Sequence, residues 1–273
     1  MVDAAFATAV TPWSYSDGSL SRLRRRSSAS SSIGRHAVGR RYVVLSEIRV
    51  PHEDGRAIQA VTRFVSDSEP DAVVILGGLM DVEAARLDAD STAHLARGVV
   101  EPLRKSFDGR LVVLDPEHSA IDLGVPDITW CPDWYDVVPG WVMSHGQSDC
   151  VRISKIAGNT ALNTAKRIGR SIILGRTRRL GKGTESRGYE GRIVSTLTGV
   201  EVGHLMIGKA ARCMEEGSRH SCQQGFALVE VSDHDVAVEP IIIKHGQFVV
   251  RGAIYAAPPI RRGSRTPSEA GLK

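Results

Sequence analysis

The chain has 273 residues, of which 42% are hydrophobic and 24% charged, with a formal net charge of +4. That composition is ordinary for a folded globular protein and excludes a chain disordered throughout. No apolar run approaches the ~20 residues that span a bilayer, and residues 1–20 lack the basic start and apolar core of a secretory signal, so a cytoplasmic protein with no membrane contact is expected.

The charge is uneven. Residues 1–41 hold seven arginines against Asp3 and Asp17, a net +5. Residues 259–273 hold Arg261, Arg262, Arg265 and Lys273 against Glu269, a net +3. The middle of the chain is therefore mildly acidic. The expected organisation is a basic tail over 1–41, one domain over 42–258 and a second basic tail over 259–273. Serine is nearly continuous from Ser27 to Ser32 and no apolar period crosses 1–40, so this tail reads as disordered. Three uses of it stay open: a solvated arm, a contact for nucleic acid or another polyanion, and an organelle transit peptide. Cys131, Cys150, Cys213 and Cys222 form no C-x-x-C pair and read as reduced thiols. His204, Cys213, His220 and Cys222 lie close in sequence but match no common zinc spacing.

The folded region begins at Tyr42, where Tyr42 to Ser46 predicts a buried strand. Ala57, Ala60, Val61, Phe64 and Val65 recur at three and four residues and predict an amphipathic helix. Ala72 to Leu76 predicts a second strand, His94 to Phe107 a second helix and Arg110 to Leu114 a third strand. This alternation argues for βαβ units and a parallel sheet. Trp141 to Met143 predicts a strand, Ile153 to Ile168 a helix and Ser171 to Leu174 another strand. Short strands follow over Ile193 to Leu197, Phe226 to Val231, Val236 to Ile243 and Phe248 to Tyr255. The second half is expected to supply a largely antiparallel sheet, so the fold class is α/β, two sheets face to face with helices outside.

Four loops follow predicted strands directly: Ser46-Glu47-Ile48-Arg49, Leu76-Gly77-Gly78-Leu79-Met80-Asp81, Asp115-Pro116-Glu117-His118 and Leu174-Gly175-Arg176-Thr177-Arg178-Arg179. His145 in Ser144-His145-Gly146 falls between the third and the fourth. Loops at the carboxyl ends of strands converge on one crevice. Their order and spacing resemble the calcineurin-like metallophosphoesterases, above all the compact bacteriophage and actinobacterial type. These read D-x-H, G-D-x-x-D, G-N-H-E, a lone His before Gly, and G-H-T-H-R. The resemblance runs from about Tyr42 to Tyr255 and includes Asp133-Trp134-Tyr135-Asp136 and Gln223-Gln224-Gly225-Phe226-Ala227.

The resemblance implies a two-sheet β-sandwich flanked by helices, with two divalent metals (Mn, Fe or Zn) that clamp a phosphate and generate hydroxide. Position by position it also implies a degraded metal site. Glu47 and Arg49 stand for the ligands of D-x-H, and Gly78 for the bridging Asp. Glu117 stands for Asn. His118, the residue that assists leaving-group departure in the family, is kept, and so is the ligand histidine His145. Arg176 and Arg178 replace the two histidines of the last loop. Arginine has no lone pair to offer a metal, but it binds phosphate oxygens bidentately. Arg49, Arg176 and Arg178 are therefore candidates for a phosphate clamp, with His118 as the catalytic candidate. A remodelled single-metal site on Glu47, Glu117 and His145 is the alternative, and a nucleic-acid protein working through its basic tails is a third. Plainer readings stand beside these. Arg176, Arg178 and Arg179 suit a solvated loop, Gly78 suits a turn, His118 and His145 suit ordinary hydrogen-bonded histidines, and Glu47 suits an ion pair with one of the arginines.

Overall fold

The computed structural model describes residues 39–81, 88–115, 122–211, 222–233 and 235–258. Every described residue lies within the unit Ala37–Lys273. Most of the first expected tail, and the second, 259–273, lie outside the described residues.

Strands β1 (Arg40–Leu45), β2 (Ala72–Ile75) and β3 (Arg110–Leu114) pair in parallel in the order expected, joined by helices α1 (Gly55–Ser68) and α2 (Ala89–Arg104). Asp54 starts α1 by accepting the N–H groups of Arg56 and Ala57, and Asp88 does the same for α2 through Ser91. The first sheet has six strands, because β4 (Ile128–Cys131) extends one side while β10 (Gly225–Val231) and β11 (Val236–Ile242) extend the other. The second sheet runs β5 (Trp134–Val138), β6 (Trp141–Ser144), β7 (Ser171–Leu174), β9 (Arg192–Val202) and β8 (Leu180–Tyr189).

The expected division of labour between the halves is therefore corrected. β10 and β11 pair with β1 in the first sheet. The second sheet is mixed, with β6, β7 and β9 parallel. Phe248 to Tyr255, expected as one strand, is a hairpin of β12 (Gln247–Val250) and β13 (Ala253–Ala256). Helix α3 (Asn159–Ile168) starts after Ile153, because Gly158 takes a left-handed turn with φ +85°.

Alternation along each strand builds the layers. Val43, Leu45, Val73, Ile75, Leu111 and Val113 face α1 and α2, while Tyr42, Val44, Val74, Leu76, Val112 and Leu114 meet Met143, Ile173, Val200 and Val202 of the second sheet. Val142, Ile172 and Leu174 pack outward on Ala161 and Ala165 of α3. The result is an α/β sandwich of two sheets flanked by helices, and the strand ends β1, β2, β3, β6 and β7 open on one side.

Among the described residues no helix is long and apolar enough to cross a membrane. Cys131 and Cys150 are free thiols, but Cys222 is disulfide-bonded, which corrects the expectation of four reduced cysteines.

Candidate functional site

Backbone hydrogen bonds bring the strand-end loops together. The N–H groups of Glu47, Arg49 and Val50 donate to the carbonyls of Gly77, Gly78 and Leu79 at 3.2, 2.7 and 2.9 Å. Asp115, at the end of β3, is buried and accepts the Leu79 N–H at 3.4 Å. Gly175 N–H donates to Ser144 O, which ties the last loop to the one that carries His145. Four non-glycine residues here have left-handed backbones: Glu47 (φ +51°), Arg49 (+55°), Arg176 (+62°) and Arg178 (+59°). Non-glycine residues seldom adopt this region, and each instance costs of order 1–3 kcal/mol. The strain turns these side chains inward rather than along their strands.

Glu47 is the hub. Its side chain is fully buried. Oε2 accepts Arg178 Nε at 2.8 Å and Arg49 Nε at 3.3 Å, and Oε1 stands 3.5 Å from His145 Nε2. Arg49 Nη1 also lies 3.7 Å from Asp81. Burial, the largest single influence, pushes the Glu47 carboxyl up; contact with His145 and the charges of Arg49 and Arg178 outweigh it and hold the group at about 2. Since that lies below the ordinary value of 4.5, on acidification the unfolded chain takes up this proton first. Stability contributed by Glu47 is thus complete above pH 4.5 and lost as pH falls to about 2. Glu47→Gln is expected to flatten this part of the acid dependence, measured by urea denaturation at about pH 5 and about pH 3.

Two glycines make the cluster possible. A Cβ at Gly77 would come within 2.4 Å of the His145 ring, so the imidazole rests directly on bare backbone. A Cβ at Gly78 would lie 2.3 Å from Glu47 Oε1. The longer Glu47 side chain fills the space that a side chain at 78 would need. The reading of Gly78 as only a turn is therefore corrected: its left-handed φ of +59° serves the turn, but its missing Cβ makes room for a carboxylate.

The three arginines of the last loop have separate fates. Arg178 joins Glu47, and Arg176 Nη1 donates to Gly146 O at 3.3 Å. Arg179 is 1% exposed, which corrects its reading as part of a solvated run. Its Nε lies 3.2 Å from Glu201 Oε2, its Nη2 donates to Thr160 Oγ1 at 2.8 Å, and its Nη1 donates to Ser154 O. Glu201 in turn accepts the Thr160 N–H at the start of α3. Arg179 is thus a structural tie between the last loop and α3.

His145 is 3% exposed; among the described residues neither ring nitrogen makes a hydrogen bond within normal length, and Nε2 stands 3.5 Å from Glu47 Oε1. His204, set in the sequence beside Cys213, His220 and Cys222, stands instead near Glu47 and Arg178. It is buried, its Nδ1 accepts the Met206 N–H, and burial first, then the charge of Arg178, lower its pKa to about 4. Glu117 and His118 lie outside the described residues, as do Cys213 and His220 of the zinc reading.

Two divalent ions, which the resemblance implies, do not fit the described residues. Gly78 supplies no bridge, Arg49, Arg176 and Arg178 supply no lone pairs, and two guanidiniums already hold one oxygen of the buried carboxylate. Among the described residues no group of three or more His, Cys, Asp or Glu stands together as a metal site.

No protein-family model matches the chain. It is 30% identical over 256 residues to the gene 54 protein of Mycobacterium phage L5, covering 80% of this chain and 99% of that protein, with the same figures for the gene 54 protein of Mycobacterium phage D29. Among solved structures it is similar to vacuolar protein sorting 29 from Cryptosporidium parvum, with TM-score 0.45 and 12% identity, covering 80% of this chain and 97% of that one. It is also similar to Yfce, a phosphoesterase from E. coli, with TM-score 0.41 and 14% identity, covering 80% and 100%. At that identity and coverage the chain belongs to the family of the gene 54 proteins of Mycobacterium phages L5 and D29.

Proposed function

We propose that this protein keeps the metallophosphoesterase crevice as a phosphate-binding site and has little or no phosphoester hydrolase activity. The observation that carries the reading is the Glu47 cluster. Its carboxylate fills the room of a bridging side chain, and the guanidiniums of Arg49 and Arg178 supply the positive charge beside it. Guanidinium groups bind phosphate oxygens through paired N–H donors, but they do not lower the pKa of water as a metal does. Catalysis should suffer more than binding.

Arg49, Arg176 and Arg178 bring three guanidinium groups to the crevice as donors for an anion. Arg176 is the strongest single contact in this reading, because among the described residues it pairs with no carboxylate. Equilibrium dialysis against pyrophosphate tests the proposal. Arg176→Ala is expected to weaken binding about tenfold or more, the loss of a charged hydrogen bond. Binding that ignores alanine at Arg49, Arg176 and Arg178 together would end the clamp.

One observation favours a second reading, a single-metal hydrolase. Among the described residues, the buried Glu47 Oε1 and both nitrogens of His145 have no hydrogen-bond partner. A single ion held by Glu47, Glu117 and His145 would use Oε1 and one of those nitrogens, with His118 as the catalytic group. Near-stoichiometric Mn, Fe or Zn that disappears in a His145→Ala variant would support this reading over the first.

A further inference from the structure

β8 closes one side of the second sheet, and among the described residues its distal half has β9 as its only neighbouring strand. Every residue from 186 to 196 is exposed. Three of them are large and apolar: Tyr189 is 69% exposed, Ile193 72% and Val194 65%. A two-stranded hairpin standing alone is marginal in water, and an open strand edge offers a row of backbone donors and acceptors to another strand.

We propose that the occupant of this edge is β8 of a second copy of the chain, paired antiparallel about a two-fold axis through Ser186. The charges select that register. About Ser186, Glu185 faces the partner's Arg187 and Arg187 faces the partner's Glu185. Moving the axis to Glu185 would set that residue against its own copy, and moving it to Arg187 would do the same for the arginine. Opposite charges across paired strands stabilise and like charges repel. A two-fold axis requires such a self-complementary surface. Within one chain Arg187 Nε already donates to Glu185 Oε1 at 3.0 Å, so both heads lie on the face where the cross-strand pairs would form. The two hairpins would join the second sheets of both copies and cover part of the apolar tip.

Sedimentation equilibrium of the full chain at micromolar concentration, with hydrogen exchange across β8, tests this. The expected results are a dimer and slow exchange at Thr184 to Gly188 that quickens on dilution. Arg187→Glu should weaken the dimer about tenfold or more, since it sets glutamates against each other. The double variant Glu185→Arg with Arg187→Glu should pair with itself and regain most of that loss. Both positions are on the surface, and the ion pair of Lys166 with Glu185 that the swap removes is partly exposed and contributes little to folding. A monomeric wild-type chain would overturn the proposal. So would a dimer with fast exchange along β8, or a double variant as weak as Arg187→Glu alone.

Discussion

Aspartate at position 78 is expected to destabilise the fold by about 3–5 kcal/mol, the scale of an uncompensated buried charge, and not to bring a metal bridge back. The new Cβ would meet Glu47 Oε1 at 2.3 Å and its Cδ at 2.9 Å, in a side chain with no exposed surface in which to move aside. The added carboxylate would face Glu47 in a buried setting, and φ at this position is +59°. Shortening Glu47 to aspartate should relieve the collision, so Gly78→Asp with Glu47→Asp is expected to recover much of the loss. Urea denaturation of the single and double variants reads the difference as a coupling between neighbouring sites. Equal stabilities would show that Glu47 does not hold the space of the missing side chain. A substitution at position 78 alone therefore leaves the obstructing residue in place.

Arg179→Met is expected to cost a similar ~3–5 kcal/mol, because it strands the buried carboxylate of Glu201. Glu201 is 0% exposed and holds the N–H of Thr160, so an unbalanced charge there would also loosen the start of α3. Methionine preserves most of the stem volume, so the loss reports charge rather than packing. The companion variant Glu201→Gln removes the opposite charge, and the pair should be less costly together than the sum of the two. Arg176→Ala, in the same loop, should change stability little. Thermal denaturation that ranks Arg176→Ala as the more damaging change would contradict the assignment of Arg179 to structure.

How much of this was legible in the sequence depended on whether a signal was local. β1, β2 and β3 are short apolar runs buried on both faces, and such runs announce themselves. β8 reads Leu-Gly-Lys-Gly-Thr-Glu-Ser-Arg-Gly-Tyr and carries no apolar alternation, because its distal half has no buried face. The apolar side of the helix expected over Ile153 to Ile168 exists at Ala161 and Ala165, which are buried, but the expected start lies too early, where Ile153 is 39% exposed and Ile156 63%. The partners of β10 and β11 were out of reach, since nothing in an isolated strand names the sheet it joins.

The same division holds at the crevice. The order of the loops could be read directly, and a pairing of Glu47 with an arginine was among the readings open there. The exchange between Glu47 and Gly78 could not be read, because it is a matter of space between residues 31 positions apart. Arg176, Arg178 and Arg179 look alike in sequence, yet one meets a carbonyl, one a carboxylate of the crevice and one a carboxylate behind α3.

The central claim is that an ion-pair cluster organises the crevice in which the sequence resemblance implies two metals. Metal content of the full chain, purified without chelators and assayed in parallel on a generic phosphodiester, tests it most directly. The account predicts Mn, Fe and Zn far below one ion per chain and no turnover above that of a Glu47→Gln variant. About two ions per chain, with turnover that stops on chelation, would contradict it.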